Sequence, residues 1–155
     1  MIMKYIIFSL MCLFVISAKA QNTTPLAERK NELKVGSLQL LFAGNVDLAY
    51  ERLTNNNFGY GVSVYSGKSL VPDNEFSISP FARIYFGEND KLGANGFFLE
   101  GAGKFSKNVG AGLSIGKKWV HKSGFIFETL LGLGRDFKSG QDVYPRGDLF
   151  IGYRF

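Results

Sequence analysis

From residue 32 to the end of this chain, large apolar residues alternate with small or charged ones, over eight successive stretches. A period of two is the mark of strands whose two faces meet different surroundings. The stretches run 32–42, 45–53, 58–66, 75–86, 97–105, 109–120, 125–137 and 147–155. Between them lie clusters rich in Gly, Asn, Asp and Pro, at 43–45, 54–57, 66–74, 88–96, 106–108, 121–124 and 138–146. Such residues supply positive φ or local side-chain hydrogen bonds. Connections this short join antiparallel neighbours. Long helices are disfavoured by 19 glycines together with 15 Phe and 7 Tyr. With 46% hydrophobic and 20% charged residues, a disordered chain is excluded.

The faces separate cleanly in most stretches. Phe58, Tyr60, Val62 and Val64 oppose Gly59, Gly61, Ser63 and Tyr65. Val109, Ala111, Leu113, Ile115 and Trp119 oppose Gly110, Gly112, Ser114, Gly116 and Lys118. The first stretch is less regular, since Leu33 and Val35 have one parity and Leu38, Leu40 and Phe42 the other. A bulge near Gly36, or a mis-set boundary, accounts for it.

The expected fold is therefore all-β: an eight-stranded antiparallel up-and-down barrel over 32–155. Two settings suit it. A soluble, lipocalin-like barrel turns the large apolar face inward around an apolar ligand. An outer-membrane barrel turns it outward into lipid and keeps a lumen of small and polar residues. Three features favour the second. The mixed face is rich in glycine and carries Asp47, Glu51, Arg83, Glu100, Lys104, Lys118, Glu128, Asp148 and Arg154. Small residues in a narrow lumen leave room for such charges to pair, and pairing is what makes their burial tolerable. The apolar face carries Tyr50, Phe58, Tyr60, Phe86, Phe97, Trp119, Phe125 and Tyr153 beside one set of alternate turns. That is the placement of an interfacial aromatic girdle. Finally, Leu149, Ile151, Tyr153 and Phe155 form an amphipathic last strand with a terminal aromatic, as in the signal read by the barrel assembly machinery.

The N-terminus reads as an address. Lys4 precedes an apolar run from Tyr5 to Ile16, and Ala18-Lys19-Ala20 supplies a small-residue cleavage site. Residues 1–20 are thus expected to be a cleaved secretory signal peptide. The run is too short to span a bilayer as a helix, which takes about 20 residues. Residues 21–31 form a short periplasmic lead. Cys12 is the only cysteine and leaves with the signal, so no disulfide, thiolate nucleophile or Cys-ligated metal is expected. Two lysines leave with it, lowering the formal charge from +5 to +3. No basic patch interleaved with aromatics supports nucleic-acid binding.

These features resemble a family of small outer-membrane β-barrels common in Bacteroidota, most without an assigned function. The resemblance rests on Asn31-Glu32-Leu33-Lys34, Leu48-Ala49-Tyr50-Glu51-Arg52, Gly59-Tyr60-Gly61, Ser79-Pro80-x-Ala82-Arg83-Ile84-Tyr85-Phe86 and Gly152-Tyr153-Arg154-Phe155. It implies an integral protein of a Gram-negative outer membrane, with membrane lipid and the assembly machinery as partners. It carries no catalytic residue and implies no cofactor.

Chemistry is thinly represented. A lipid A-modifying enzyme commonly needs a Ser, a His and an acid. The only histidine, His121, lies in a tight turn with Ser123 nearby. One histidine is also a poor metal ligand set. Glu100 and Glu128 are better read as salt-bridge partners of Arg83, Lys104 and Lys118 than as an acid–base pair. The expected protein is non-enzymatic, with an occluded lumen and an envelope-structural or small surface-interaction role. Under this reading the turns at 54–57, 87–96 and 121–124 face the periplasm. The connections at 66–74 and 138–146, with Leu70, Val71, Pro72, Val143, Tyr144 and Pro145, face outward.

Overall fold

The computed structural model describes residues 25–38, 40–41, 44–67, 76–86, 93–137 and 143–155. The expected signal peptide, most of the lead and the loop residues Leu70, Val71 and Pro72 lie outside these. Eight strands are present: β1 Asn31–Gly36, β2 Val46–Leu53, β3 Phe58–Ser66, β4 Phe76–Tyr85, β5 Gly96–Phe105, β6 Val109–Val120, β7 Phe125–Asp136 and β8 Val143–Arg154. They form a closed antiparallel barrel in chain order, with β8 paired back onto β1. No described helix is long and apolar enough to cross a membrane, which says nothing of a β-barrel.

β2 to β7 begin and end within one residue of the stretches read from alternation. The two exceptions have local causes. β1 stops at Gly36, and residues 37–38 turn helical. The parity change between Val35 and Leu38 is the chain leaving the sheet, so the boundary is earlier and there is no bulge in the strand. Ser37 Oγ donates to the Leu149 carbonyl at 2.7 Å, and the Leu38 amide donates to Asp148 Oδ1 at 3.0 Å. These two bonds hold the departing segment against β8. At the other end, β8 begins at Val143 and not at 147. Val143, Tyr144 and Pro145 are therefore wall and not loop. Pro145 lies opposite Leu133 of β7. Asn31 and Phe155 exchange backbone bonds, so odd-numbered residues of β8 point their peptide groups toward β1. β1 has ended before it reaches Pro145, so the missing N–H falls on an edge with no strand to serve.

A second proline leaves a mark inside the wall. β4 and β5 pair at Ile78↔Phe105 and resume at Phe81↔Ala102, with no pairing at Pro80 and Gly103 between them. Pro80 has no N–H to donate there.

The alternation resolves into an inside and an outside. Facing out are large apolar residues: Leu113 is 67% exposed, Ile115 64%, Leu131 69% and Leu133 63%. Facing in are charges, glycines and a smaller apolar set. Phe81, Tyr85, Phe98, Leu130 and Phe150 pack together with Ala49, Leu53, Ala94 and Ala102. Large charged side chains are more completely buried than the aliphatic ones, an inversion of the usual globular pattern.

Candidate functional site

The interior has two halves. The terminal half lies near the chain ends and the 54–57 and 121–124 turns. The loop half lies near the 106–108 turn and the ends of β1, β3 and β7.

In the terminal half, strands from all round the barrel send charges to one point. Glu32 and Lys34 come from β1, Glu51 from β2, Arg83 from β4, Glu100 from β5, Lys118 from β6, Glu128 from β7 and Arg154 from β8. Each is 2% exposed or less. Lys34 Nζ sits 2.6 Å from Glu51, 2.9 Å from Glu128 and 3.6 Å from Glu32. The Arg83 guanidinium reaches three carboxylates, Glu51 and Glu128 at 2.9 Å and Glu100 at 2.7 Å. Lys118 Nζ lies 2.6 Å from Glu32 and 3.0 Å from Glu51. Arg154 holds Glu32 at 2.6 Å and donates to the Ala94 carbonyl at 2.6 Å. That last bond draws the β4–β5 connection across the terminal end of the lumen. Arg146 of β8 extends the network through Glu100 at 2.9 Å. Four carboxylates thus face five cations in one connected cluster.

Aromatic rings collar it. Arg83 lies between Phe81 and Phe98, its guanidinium carbon 4.5 Å from each ring centre. Lys118 Nζ is 4.4 Å from the Tyr85 ring centre. The Tyr85 hydroxyl donates to Glu51 and accepts from Lys118. Rings strengthen the cations they face and exclude water from the pairs. Glycines make the fit possible. A Cβ on Gly61 would strike the Tyr50 carbonyl and come 2.6 Å from Phe81 Cζ.

The expected lumen residues divide accordingly. Glu51, Arg83, Glu100, Lys118, Glu128 and Arg154 meet in the main cluster. Lys104 pairs separately with Asp136, both carboxylate oxygens at 3.0 Å. Asp148 uses Oδ1 to accept the amides of Leu38 and Leu149. Asp47 has no cation within ion-pair distance among the described residues. Its strand enters the barrel where β1 has already ended, and both Asp47 and Asp148 lie against Gly36.

Four charged interior residues escaped the sequence reading: Glu32, Lys34, Asp136 and Arg146. Glu32 and Lys34 alternate with Leu33 and Val35, which is a usable signal once β1 is ended at Gly36. Arg146 shares parity with Asp148, and the late start set for β8 hid it. Asp136 shares parity with Glu128 on β7.

On the outside, Tyr50, Phe58, Tyr60, Phe86, Phe97, Trp119 and Phe125 are 37% to 66% exposed. Tyr153 differs, being only 9% exposed. Its ring lies over Gly124, 3.1 Å from where a Cβ would stand, with Leu33 and Phe125 on either side. Within the last strand, Ile151 and Phe155 are exposed, Leu149 half-buried and Tyr153 buried.

His121 Nδ1 lies 3.0 Å from Ser123 Oγ in an exposed turn. The Ser123 amide donates to the same nitrogen at 3.2 Å, which makes the contact part of the turn. Among the described residues no group of three or more His, Cys, Asp or Glu is placed to hold a metal ion. A cleft of about 510 Å³ at the terminal end is bordered by Lys30, Leu53, Asn56 and Ala94.

Comparison with protein-family models, with curated proteins and with solved structures finds no match for this chain.

Proposed function

We propose that this chain is an integral outer-membrane β-barrel, exported by a cleaved signal peptide, with an occluded and non-catalytic lumen. Its role is envelope-structural or a small surface interaction. One observation carries the reading: the barrel is inverted, with large apolar residues outside and charges inside. Phe97, Leu113, Ile115, Leu131 and Leu133 are each more than 60% exposed, while Glu32, Lys34, Glu51, Lys118, Glu128 and Arg154 are at 0%. In water that outer face is a large apolar patch of the kind soluble monomers avoid. In lipid it is the favourable surface, and a closed barrel leaves no unpaired edge along most of its length. A soluble binder of apolar ligands needs the opposite distribution.

The ion-pair cluster supports occlusion. An eight-stranded barrel has an interior just wide enough for side chains to fill, and here long charged side chains cross it. Membrane fractionation followed by gel mobility with and without boiling tests the reading. The expected result is a membrane-bound protein whose folded form migrates faster than its boiled form. A soluble periplasmic protein with no heat shift overturns it. The lipid A-modifying alternative predicts a changed lipid A mass spectrum on deletion of the gene; the present reading predicts an unchanged one.

A further inference from the structure

The charges of the barrel wall are sorted by sign. Every Asp and Glu of the eight strands has inward parity. Three cations, Arg52, Lys117 and Arg135, have outward parity, so the outer face of the wall carries positive charge and no negative charge. Arg52 and Arg135 stand near strand ends and are exposed.

Lys117 is placed differently. It lies within the aromatic girdle, one row in from Trp119 and Phe127, with Phe97 opposite it on β5 and Thr129 on β7. Its Nζ is 4.7 Å from the centre of the Phe97 ring and 5.1 Å from that of Trp119. The side chain is half-buried. Among the described residues no carboxylate is within ion-pair distance of it and no acceptor takes one of its three N–H donors. The rings hold the cation and shed its water, but they supply neither a formal counter-charge nor an oxygen acceptor. Beyond Lys117, away from the 121–124 turn, the wall continues as Ile115 opposite Leu131 and Leu113 opposite Leu133, each more than 60% exposed.

We propose that Lys117, held between Phe97 and Trp119, docks the phosphate of an anionic phospholipid whose acyl chains lie along Ile115, Leu131, Leu113 and Leu133. Thr129 offers a hydroxyl on the same face. The sorting of charge selects the class. A zwitterionic headgroup brings its own cation, which meets Lys117 as a like charge. A phosphodiester without one, as in phosphatidylglycerol, brings a full negative charge and free acceptor oxygens, and no acid on the outer strand face repels it. The inference rests on the membrane reading above, which supplies the lipid.

Trp119 is the single tryptophan and lies against Lys117, so its fluorescence samples the lipid at this point. The test folds the signal-free chain into phosphatidylcholine vesicles with a minor fraction of phosphatidylglycerol. One or the other lipid is brominated on its acyl chains, and the quenching of Trp119 gives the composition beside it. Phosphatidylglycerol is expected to be enriched about fivefold over the bulk, the attraction of one basic side chain for anionic lipid. In the parent, added salt should lower the enrichment. Lys117→Gln should abolish it while keeping the parent's heat-modifiable mobility. Arg135→Gln, at the other end of the barrel, should leave it unchanged. Absence of quenching by either lipid means that the membrane reading has failed. Quenching by phosphatidylcholine without enrichment of phosphatidylglycerol means that the lipid site alone has failed. The site is also overturned if the enrichment ignores salt, if folded Lys117→Gln keeps it, or if Arg135→Gln removes as much, since the attraction then belongs to net charge and not to this position.

Discussion

In the terminal half of the lumen, Lys34, Glu51, Arg83, Lys118 and Glu128 each touch two or more opposite charges and are almost wholly buried. In the loop half, Lys104 and Arg146 each touch one carboxylate among the described residues, and the hydroxyls of Ser114 and Tyr144 are buried with no partner among them. The same strands build both halves. The difference lies in side-chain length at inward positions. β6 places Gly110, Gly112 and Ser114 in the loop half and Lys118 in the terminal half, and β7 places Gly132 and Gly134 against Glu128. Long charged groups fill the narrow space and must then satisfy one another. In the loop half, glycines let Tyr144 and Arg146 lie against the wall, and the charges meet in separate pairs. The terminal half is a plug cross-linked by charge, and the loop half is joined by isolated pairs.

The largest test of that contrast is Arg83→Ala. It removes the cation that bridges all three of Glu51, Glu100 and Glu128, in a site none of them can leave. Removing one partner of a buried pair costs about 3–5 kcal/mol. Urea unfolding in lipid vesicles, followed by the fluorescence of the single Trp, should show a loss of this size. Lys107→Ala in the exposed 106–108 turn should show no measurable change. Equal effects would mean that the cluster is solvated and the plug does not exist.

One substitution made in both halves sharpens the point. Tyr85→Phe removes a hydroxyl that bonds Glu51 and Lys118. A bond to a charged group is worth about 1.5–3 kcal/mol, and a loss in that range is expected from the same unfolding curves. Tyr144→Phe removes a hydroxyl that has no partner among the described residues. It should leave stability unchanged or slightly raised, because no partner is abandoned. A matching loss at Tyr144 would show that its hydroxyl is satisfied within the folded chain.

The fold was legible because its cause is local. Alternation needs only the identity of adjacent residues, and a barrel wall imposes it on every strand. The errors came where tertiary bonds decide a boundary. Nothing near Gly36 announces that Ser37 will bond Leu149, a residue 112 positions away. Nothing near Pro145 announces that the neighbouring strand has already ended, so a proline there can stay in the wall. Those boundaries hid Glu32, Lys34 and Arg146. Parity placed most of the other charges on the inner face, but pairing depends on the stagger between strands. Asp47 and Glu51 share one face of β2 and differ only in height, yet Glu51 is at the centre of the cluster and Asp47 meets no cation among the described residues. Tyr153 shows the converse: parity placed it outward, and the bare backbone of Gly124 then let its ring fold down and be covered.

The smallest effect expected concerns glycine, and it separates the inner face from the outer. Gly61 faces inward beside the plug, where a Cβ meets the Tyr50 carbonyl and Phe81 Cζ. The carbonyl belongs to the wall and cannot turn aside, so Gly61→Ala must displace backbone. Overpacking of this kind costs about 1–3 kcal/mol. Gly101 faces outward, and the nearest atom to a Cβ there is Leu113 Cδ2 at 3.9 Å, an ordinary contact. Its backbone is already extended within β5, so Gly101→Ala meets no steric objection and reduces the freedom of the unfolded chain, a gain of about 0.4–1 kcal/mol. The two variants should therefore move the unfolding midpoint in opposite directions. If both lower it alike, glycine serves the wall generally, through strand curvature, and the inner glycines are not there to make room for the plug.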